Sequence, residues 1–202
     1  RANPPFMVEL FPVLQSSLPT TRIVIADDNV HYRLFPWQGL YNIEASSDFS
    51  PDSICIVRLS ALGDVTHAVP VVRAIQQQWP QTRITWICAT LEHKLLAALD
   101  GINFIAVDKK SGWRGYYRLW RTLAGQRFDI MLQMQTSARA NFTGAVVKAD
   151  IKLGWDRLRA RDFHRFFMTH SIPQTRFEHQ LQGHLSFARR IGLEAAEPEW
   201  NF

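Results

Sequence analysis

The chain has 202 residues, 47% of them hydrophobic, with seven Trp and thirteen Phe. That is enough apolar surface for a packed core and excludes a disordered or low-complexity chain. The formal net charge is +5, no run of 18 apolar residues occurs, and no secretory leader is readable, so neither a membrane-spanning helix nor a disulfide-rich secreted scaffold is expected.

Residues 1–52 differ from the rest. "RANPPF" and "SSDFSPDS" are turn- and linker-like, "TRIVIADD" (Thr21 to Asp28) has the pattern of a strand, and no motif stands out. This segment reads as an extension, the end of a fused preceding domain or mistranslated flanking sequence, and the lack of an initial Met reads as a fragment boundary. From Ser53 a regular rhythm begins. "ICIVRL" predicts a first strand. Val65, Ala68, Val69, Val72, Ile75 and Trp79 recur at helical spacing, and Pro80 ends that helix. "RITWICA" is the second strand, "LEHKLLAAL" a short helix closed by Asp100 and Gly101, and "INFIAV" the third strand. Trp113, Tyr116, Tyr117, Trp120 and Leu123 mark the next helix. "FDIMLQMQ" is the fourth strand, followed by a helix over 138–148. "IKLGW" is the fifth strand, and after an irregular stretch a helix is expected over 177–191, with Leu181, Leu185 and Ala188 inward.

Strands alternating with helices at this spacing imply an α/β fold: a Rossmann-like parallel sheet flanked by helices, joined by right-handed crossovers. Near-continuous apolar strands fit burial on both sheet faces. Ligands of such sheets bind at the carboxyl ends of the strands, so the turns after strands one, four and five are the places to search.

After strand one comes "SALGDV". Gly63 would permit close backbone approach or a positive φ. Asp64 stands where the helix starts; as an N-cap it needs no further role, and as a carboxylate at the cleft mouth it could take a proton. Local sequence favours the cap. His67, three residues on, could face Asp64. No GxGxxG, GxxxxGK[ST] or GxSxG pattern is present. After strand four, Gln135, Thr136, Ser137 and Arg139 cluster where a loop becomes a helix, which suits a phosphate or sugar as well as ordinary capping. After strand five, Arg157, Arg159, Arg161 and Arg165 lie within nine residues. Guanidinium forks grip phosphate bidentately, so an anion site is expected there, although pairing with Asp156 and Asp162 would use the same residues. A second basic run, Lys109, Lys110, Arg114, Arg118, Arg121 and Arg127, has Asp108 as its one acid. Cys55 and Cys88 read as buried free thiols of a reduced compartment, and no ligand cluster suggests a metal.

"ICIVRLSALGDVTHAVPVVRAIQQQWPQTRITWI", "FDIMLQMQTSARA", "KLGWDRLRARD" and "IGL…EPEW", in this order, resemble the amino-terminal half of the ADP-heptose:lipopolysaccharide heptosyltransferases. These are inverting enzymes of glycosyltransferase family 9 with the two-domain GT-B architecture. The likeness covers residues 53–202 and is greatest to the branch that adds the first heptose to the Kdo–lipid A inner core. It implies an acceptor-binding domain over 53–202, with the donor domain absent from this chain. It implies ADP-heptose as donor, Kdo–lipid A as acceptor, and neither cofactor nor metal. Asp64 would be the general base. Gly63, His67, Gln135, Thr136, Ser137, Arg139, Arg157, Arg159 and Arg161 would form the acceptor and anion site. The location implied is cytoplasmic, peripheral at the inner face of the inner membrane, with no nucleic-acid partner. On this reading the chain alone is inactive. The alternative is a catalytically silent Rossmann-like module that binds an anionic glycolipid or nucleotide.

Overall fold

The computed structural model describes residues 50–108, 110–175 and 179–193. The strand expected at Thr21 to Asp28, the start of the last helix at 177–178 and the "EPEW" stretch lie outside them. In chain order the described elements are β1 (Ser53–Val57), α1 (Leu62–Thr66), α2 (Val69–Gln78), β2 (Arg83–Ala89), α3 (Thr90–Leu96), β3 (Ile102–Val107), α4 (Gly112–Thr122), β4 (Phe128–Gln133), α5 (Ala138–Val146), β5 (Ala149–Gly154), a 3-10 turn (His164–Phe167), β6 (His170–Ser171) and α6 (Gln180–Arg190).

All strand pairs are parallel, in the order β3-β2-β1-β4-β5-β6. Alternation along β1 divides the core. Ile54 and Ile56 join Val72 and Ile75 of α2 and Leu185 and Phe187 of α6 on one face. Cys55 and Val57 join Leu119 of α4 and Ala140 of α5 on the other. Every β1 residue is buried, as a central parallel strand requires. The order in which successive strands are added reverses between β1 and β4, which opens a crevice at their carboxyl ends.

Sequence and structure agree on β2 and β3 residue for residue and differ in four instructive places. The helix expected after β1 is two helices, with a break at His67 and Ala68. Pro70 has no N–H to donate to Thr66, so the first helix cannot run through it; Pro70 instead sits in the first turn of α2, where its missing donor costs nothing. β6 is only two residues long, too short to give a periodic signal, yet it pairs with Leu153 and Gly154 of β5. α5 stops at Val146, short of Lys148, because the chain must turn into β5 at Ala149. On α4, Leu119 and Leu123 face the core, whereas Trp113, Tyr117 and Trp120 point to solvent.

Candidate functional site

A cleft of about 480 Å³ opens at the carboxyl ends of β1, β4 and β5. Its walls come from the loops after those strands: Arg58, Ser60 and Asp64; Gln135, Thr136 and Ser137; Trp155, Leu158, Arg159 and Arg161. Gln180 of α6 closes one side.

Asp64 stands third in α1, not at its N-cap, which is Ala61. A carboxylate at that position reaches back to the Ala61 N–H, but at 3.5 Å that bond is weak. Its strong partner is Arg58, whose Nη2 lies 2.6 Å from Asp64 Oδ2. Both contacts use Oδ2, and Asp64 itself lines the cleft. The Arg58 side chain is 6% exposed and that of Asp64 34%, so the ion pair has a dry end and a wet end. Arg58 Nη1 also donates to the Met134 carbonyl at 2.6 Å, which locks the guanidinium across the β1–β4 crevice. Desolvation lowers the Arg58 pKa, and Asp64 acts against that shift. A buried arginine thus fixes the position of a half-exposed carboxylate. Arg58 lay in plain view in the sequence, but nothing local distinguished it from a strand-end surface charge.

Gln135 ties the two loops together. Its Oε1 accepts from the backbone N–H groups of Leu59 at 2.8 Å and Ser60 at 3.2 Å, and its Nε2 donates to Ser137 Oγ at 3.1 Å. Ser137 is the N-cap of α5, and its Oγ accepts from the Ala140 N–H. The amide of Ala138 donates to Asp162 at 3.0 Å. Two amides at the start of α5 are therefore already engaged, so Ser137 serves as a cap there, the ordinary role that the sequence also allowed.

The loop after β5 is built on His164, which is buried. Its Nε2 accepts from the Trp155 N–H at 3.0 Å, so the proton is on Nδ1, which donates to Asn141 Oδ1 at 2.8 Å. Asn141 Nδ2 in turn holds the carbonyls of Arg161 at 3.2 Å and Asp162 at 2.8 Å. Burial pushes the His164 pKa down to about 4. Arg159 forms an ion pair through Nε with buried Asp156, stacks over Trp155 at 4.7 Å, and reaches Thr175 Oγ1 at 3.3 Å. Gly154 closes β5 beneath this loop: a Cβ there would overlap His164 Nε2 and lie 2.5 Å from Met168 Cγ. Gly154→Ala is therefore expected to destabilise the fold by about 1–3 kcal/mol and to disturb the cleft wall, measured by thermal unfolding.

Several expected site residues fall elsewhere. Arg139 and Arg157 are exposed and do not line the cleft. His67 is not among the residues that line the cleft, and the ion-pair partner of Asp64 is Arg58; the His67 ring lies 6.1 Å from that of His179 and 6.0 Å from that of His184. Gly63 has no positive φ, and a Cβ there would meet nothing within 4 Å, so the chain's own fold does not require glycine. Trp155, Leu158, Ser60 and Gln180 line the cleft without having been singled out as site residues. Among the described residues, no group of three or more His, Cys, Asp or Glu side chains is placed to hold a metal ion.

The family model for glycosyltransferase family 9 (heptosyltransferase) matches residues 116–202, a span that includes the β4 and β5 loops but not Asp64. The chain is 42% identical over 151 residues to the lipopolysaccharide core heptosyltransferase OpsX of Haemophilus influenzae. That alignment covers 75% of this chain and 44% of the relative, so the chain spans less than half the length of its curated relative. The fold is similar to Escherichia coli heptosyltransferase WaaC, solved with ADP-2-deoxy-2-fluoro heptose, at a TM-score of 0.65 and 17% identity, covering 74% of this chain and 51% of that one. A family 9 glycosyltransferase from Veillonella parvula gives a TM-score of 0.63 at 21% identity, covering 74% of this chain and 44% of that one. With the parallel sheet and the cleft at its switch point, these matches make the chain similar to the heptosyltransferases of glycosyltransferase family 9.

Proposed function

We propose that residues 53–202 form the acceptor-binding domain of an inverting heptosyltransferase that moves heptose from ADP-heptose to the Kdo–lipid A inner core. The observation that carries this reading is the Arg58–Asp64 pair at the cleft mouth: a carboxylate fixed through one oxygen, with the other available to a hydroxyl. In the reaction, Asp64 accepts the proton of the acceptor hydroxyl as its oxygen attacks the anomeric carbon. The bond between that carbon and the diphosphate oxygen breaks, and ADP leaves with the electron pair from the opposite face, which inverts the configuration. Donor binding and charge stabilisation at the diphosphate belong to a second GT-B domain outside these residues, and no metal or cofactor is required. Arg159 and Arg161 on the cleft wall meet the phosphates and carboxylates of the acceptor.

The test compares heptose transfer by the 202-residue chain with that of a full-length enzyme. Turnover is expected only from the latter, and turnover by the chain alone would overturn the division of labour. In the full-length enzyme, Arg161→Ala is expected to raise the KM for the acceptor about tenfold with little change in stability, since Arg161 is exposed. Arg159→Ala should raise the same KM and also cost about 1–3 kcal/mol, because the buried Asp156 loses its ion-pair partner. Equal changes in donor KM would argue against an acceptor role for both.

A further inference from the structure

Outside the cleft, the most unusual surface lies on the α4–α5 side of the sheet. Trp113 is 73% exposed, Trp120 52% and Tyr117 51%, all on α4. At about 100° per residue, Tyr116, Trp120, Trp113 and Tyr117 follow one another around the helix beside the buried Leu119 and Leu123; Arg121, Arg114 and Arg118 come next. The aromatic band continues beyond α4. Tyr116 meets Phe142 of α5 at 6.4 Å, and Phe142 meets Phe167 of the 3-10 turn at 6.1 Å. Phe163 and Phe166 pack together at 6.0 Å and are 75% and 67% exposed. Two exposed Trp and three exposed Phe in one band exceed the scattered apolar residues normal to a surface.

Charge identifies the occupant. Arg114, Arg118 and Arg121 lie along the α4 side of the band, and Arg165 lies within its far end. Of the nearby acids, Asp162 is held by the Ala138 N–H and Asp108 by the Lys110 N–H. Rings that combine an apolar body with a polar edge, bordered by arginine, match the headgroup region of a bilayer rather than a dry protein core. We propose that this face, formed by α4, the outer side of α5 and the 3-10 turn, docks on an anionic lipid bilayer, with the aromatic rings inserted at headgroup depth and the arginines on the anionic headgroups. The docking face adjoins the cleft through one loop: Leu158 and Arg161 line the cleft, and Phe163 and Phe166 follow within a few residues. Resting on the lipid-linked acceptor reading, this places the cleft mouth where an acceptor anchored in the same bilayer can enter it.

The experiment is co-sedimentation of the 202-residue chain with phosphatidylcholine vesicles, with and without phosphatidylglycerol, in the absence of donor and acceptor. Binding is expected to the anionic vesicles, to weaken with added salt, and to be much weaker to phosphatidylcholine alone. The triple substitution R114Q/R118Q/R121Q should weaken it roughly fivefold per arginine. W113S/Y117S/W120S should abolish it, and Arg83→Gln, at the start of β2 and outside the aromatic band, should leave it unchanged. The substituted residues are solvent-facing, and unchanged thermal unfolding checks that each variant folds. No binding to either vesicle, or binding unaffected by both triple variants, overturns the proposal. Self-association that the same substitutions disrupt, with no vesicle binding, overturns it in favour of a second copy on this face. Asp64→Asn should still bind vesicles, so failure here is separable from failure of the heptosyl-transfer reading.

Discussion

Asp64→Asn in the full-length enzyme is expected to lower heptosyl transfer by roughly 10²–10⁴-fold while leaving the fold nearly intact. The amide keeps an oxygen for the Arg58 Nη2 that lies 2.6 Å from Asp64 Oδ2, so the guanidinium retains its partner. What is lost is the ability to accept a proton. Asp64→Ala removes both, leaving the nearly buried Arg58 charge uncompensated, and should add a stability loss of about 1–3 kcal/mol. The contrast between the two variants, read as kcat with Kdo–lipid A and ADP-heptose beside a thermal melt, separates chemistry from scaffold. If both retain near-normal kcat and differ only in stability, Asp64 is a structural residue and the general base lies elsewhere.

Acidification is expected to unfold the domain through two buried histidines. Burial pushes His164 and His184 down to about 4 from an ordinary 6.5. For His184, the nearby Arg58 and His67 push in the same direction, against the raising effect of its backbone bond to the Gln180 carbonyl and of Asp64. Both rings are neutral in the folded state and take up protons more readily when unfolded. Above pH 6.5 neither state binds the proton and stability is insensitive to these groups. As pH falls from 6.5 towards 4, the unfolded state binds more protons and stability is lost, at roughly 3 kcal/mol per histidine; below 4 their contribution is gone. Chemical unfolding between pH 7 and 4 measures the slope. His164→Gln should flatten it, and an unchanged slope in that variant would refute the assignment. The same protonation would break the Trp155 N–H to Nε2 bond, so the arginine-bearing cleft wall should loosen before the sheet does.

The local hydrophobic pattern of this chain marked five of the six described strands, and two-residue β6 left no signal. The limits of β2 and β3 were legible to the residue because each is a short, mainly apolar run closed off by turn formers, Pro80 before β2 and Asp100 with Gly101 before β3, although Thr85 and Asn103 interrupt the runs and β3, at the sheet edge, is only partly buried. The loops after β1, β4 and β5 followed from topology, since parallel strands with helical crossovers all bring their carboxyl ends to one edge. Family likeness then attached chemistry to Asp64, which spacing by itself described as a helix start. Asp64 is neither an N-cap nor a partner of His67: the fold gives its carboxylate to Arg58, a residue 76 positions from the Met134 carbonyl that it also binds. Such long-range pairing leaves no periodic trace. For the same reason, Arg159 and Arg161 could not be told from Arg157 and Arg139 by composition; only the hydrogen bonds from Asn141 and the cap from Asp162 fix which side of the loop faces the cleft. The sequence by itself determined five of the strands, most of the helices, the Rossmann-like class and the edge that carries the site, because burial of sheet faces writes itself into local hydrophobic pattern. Tertiary structure alone decided which charges meet, and that the aromatic residues of α4 face outward, because helical spacing marks a stripe but not the side on which the sheet lies.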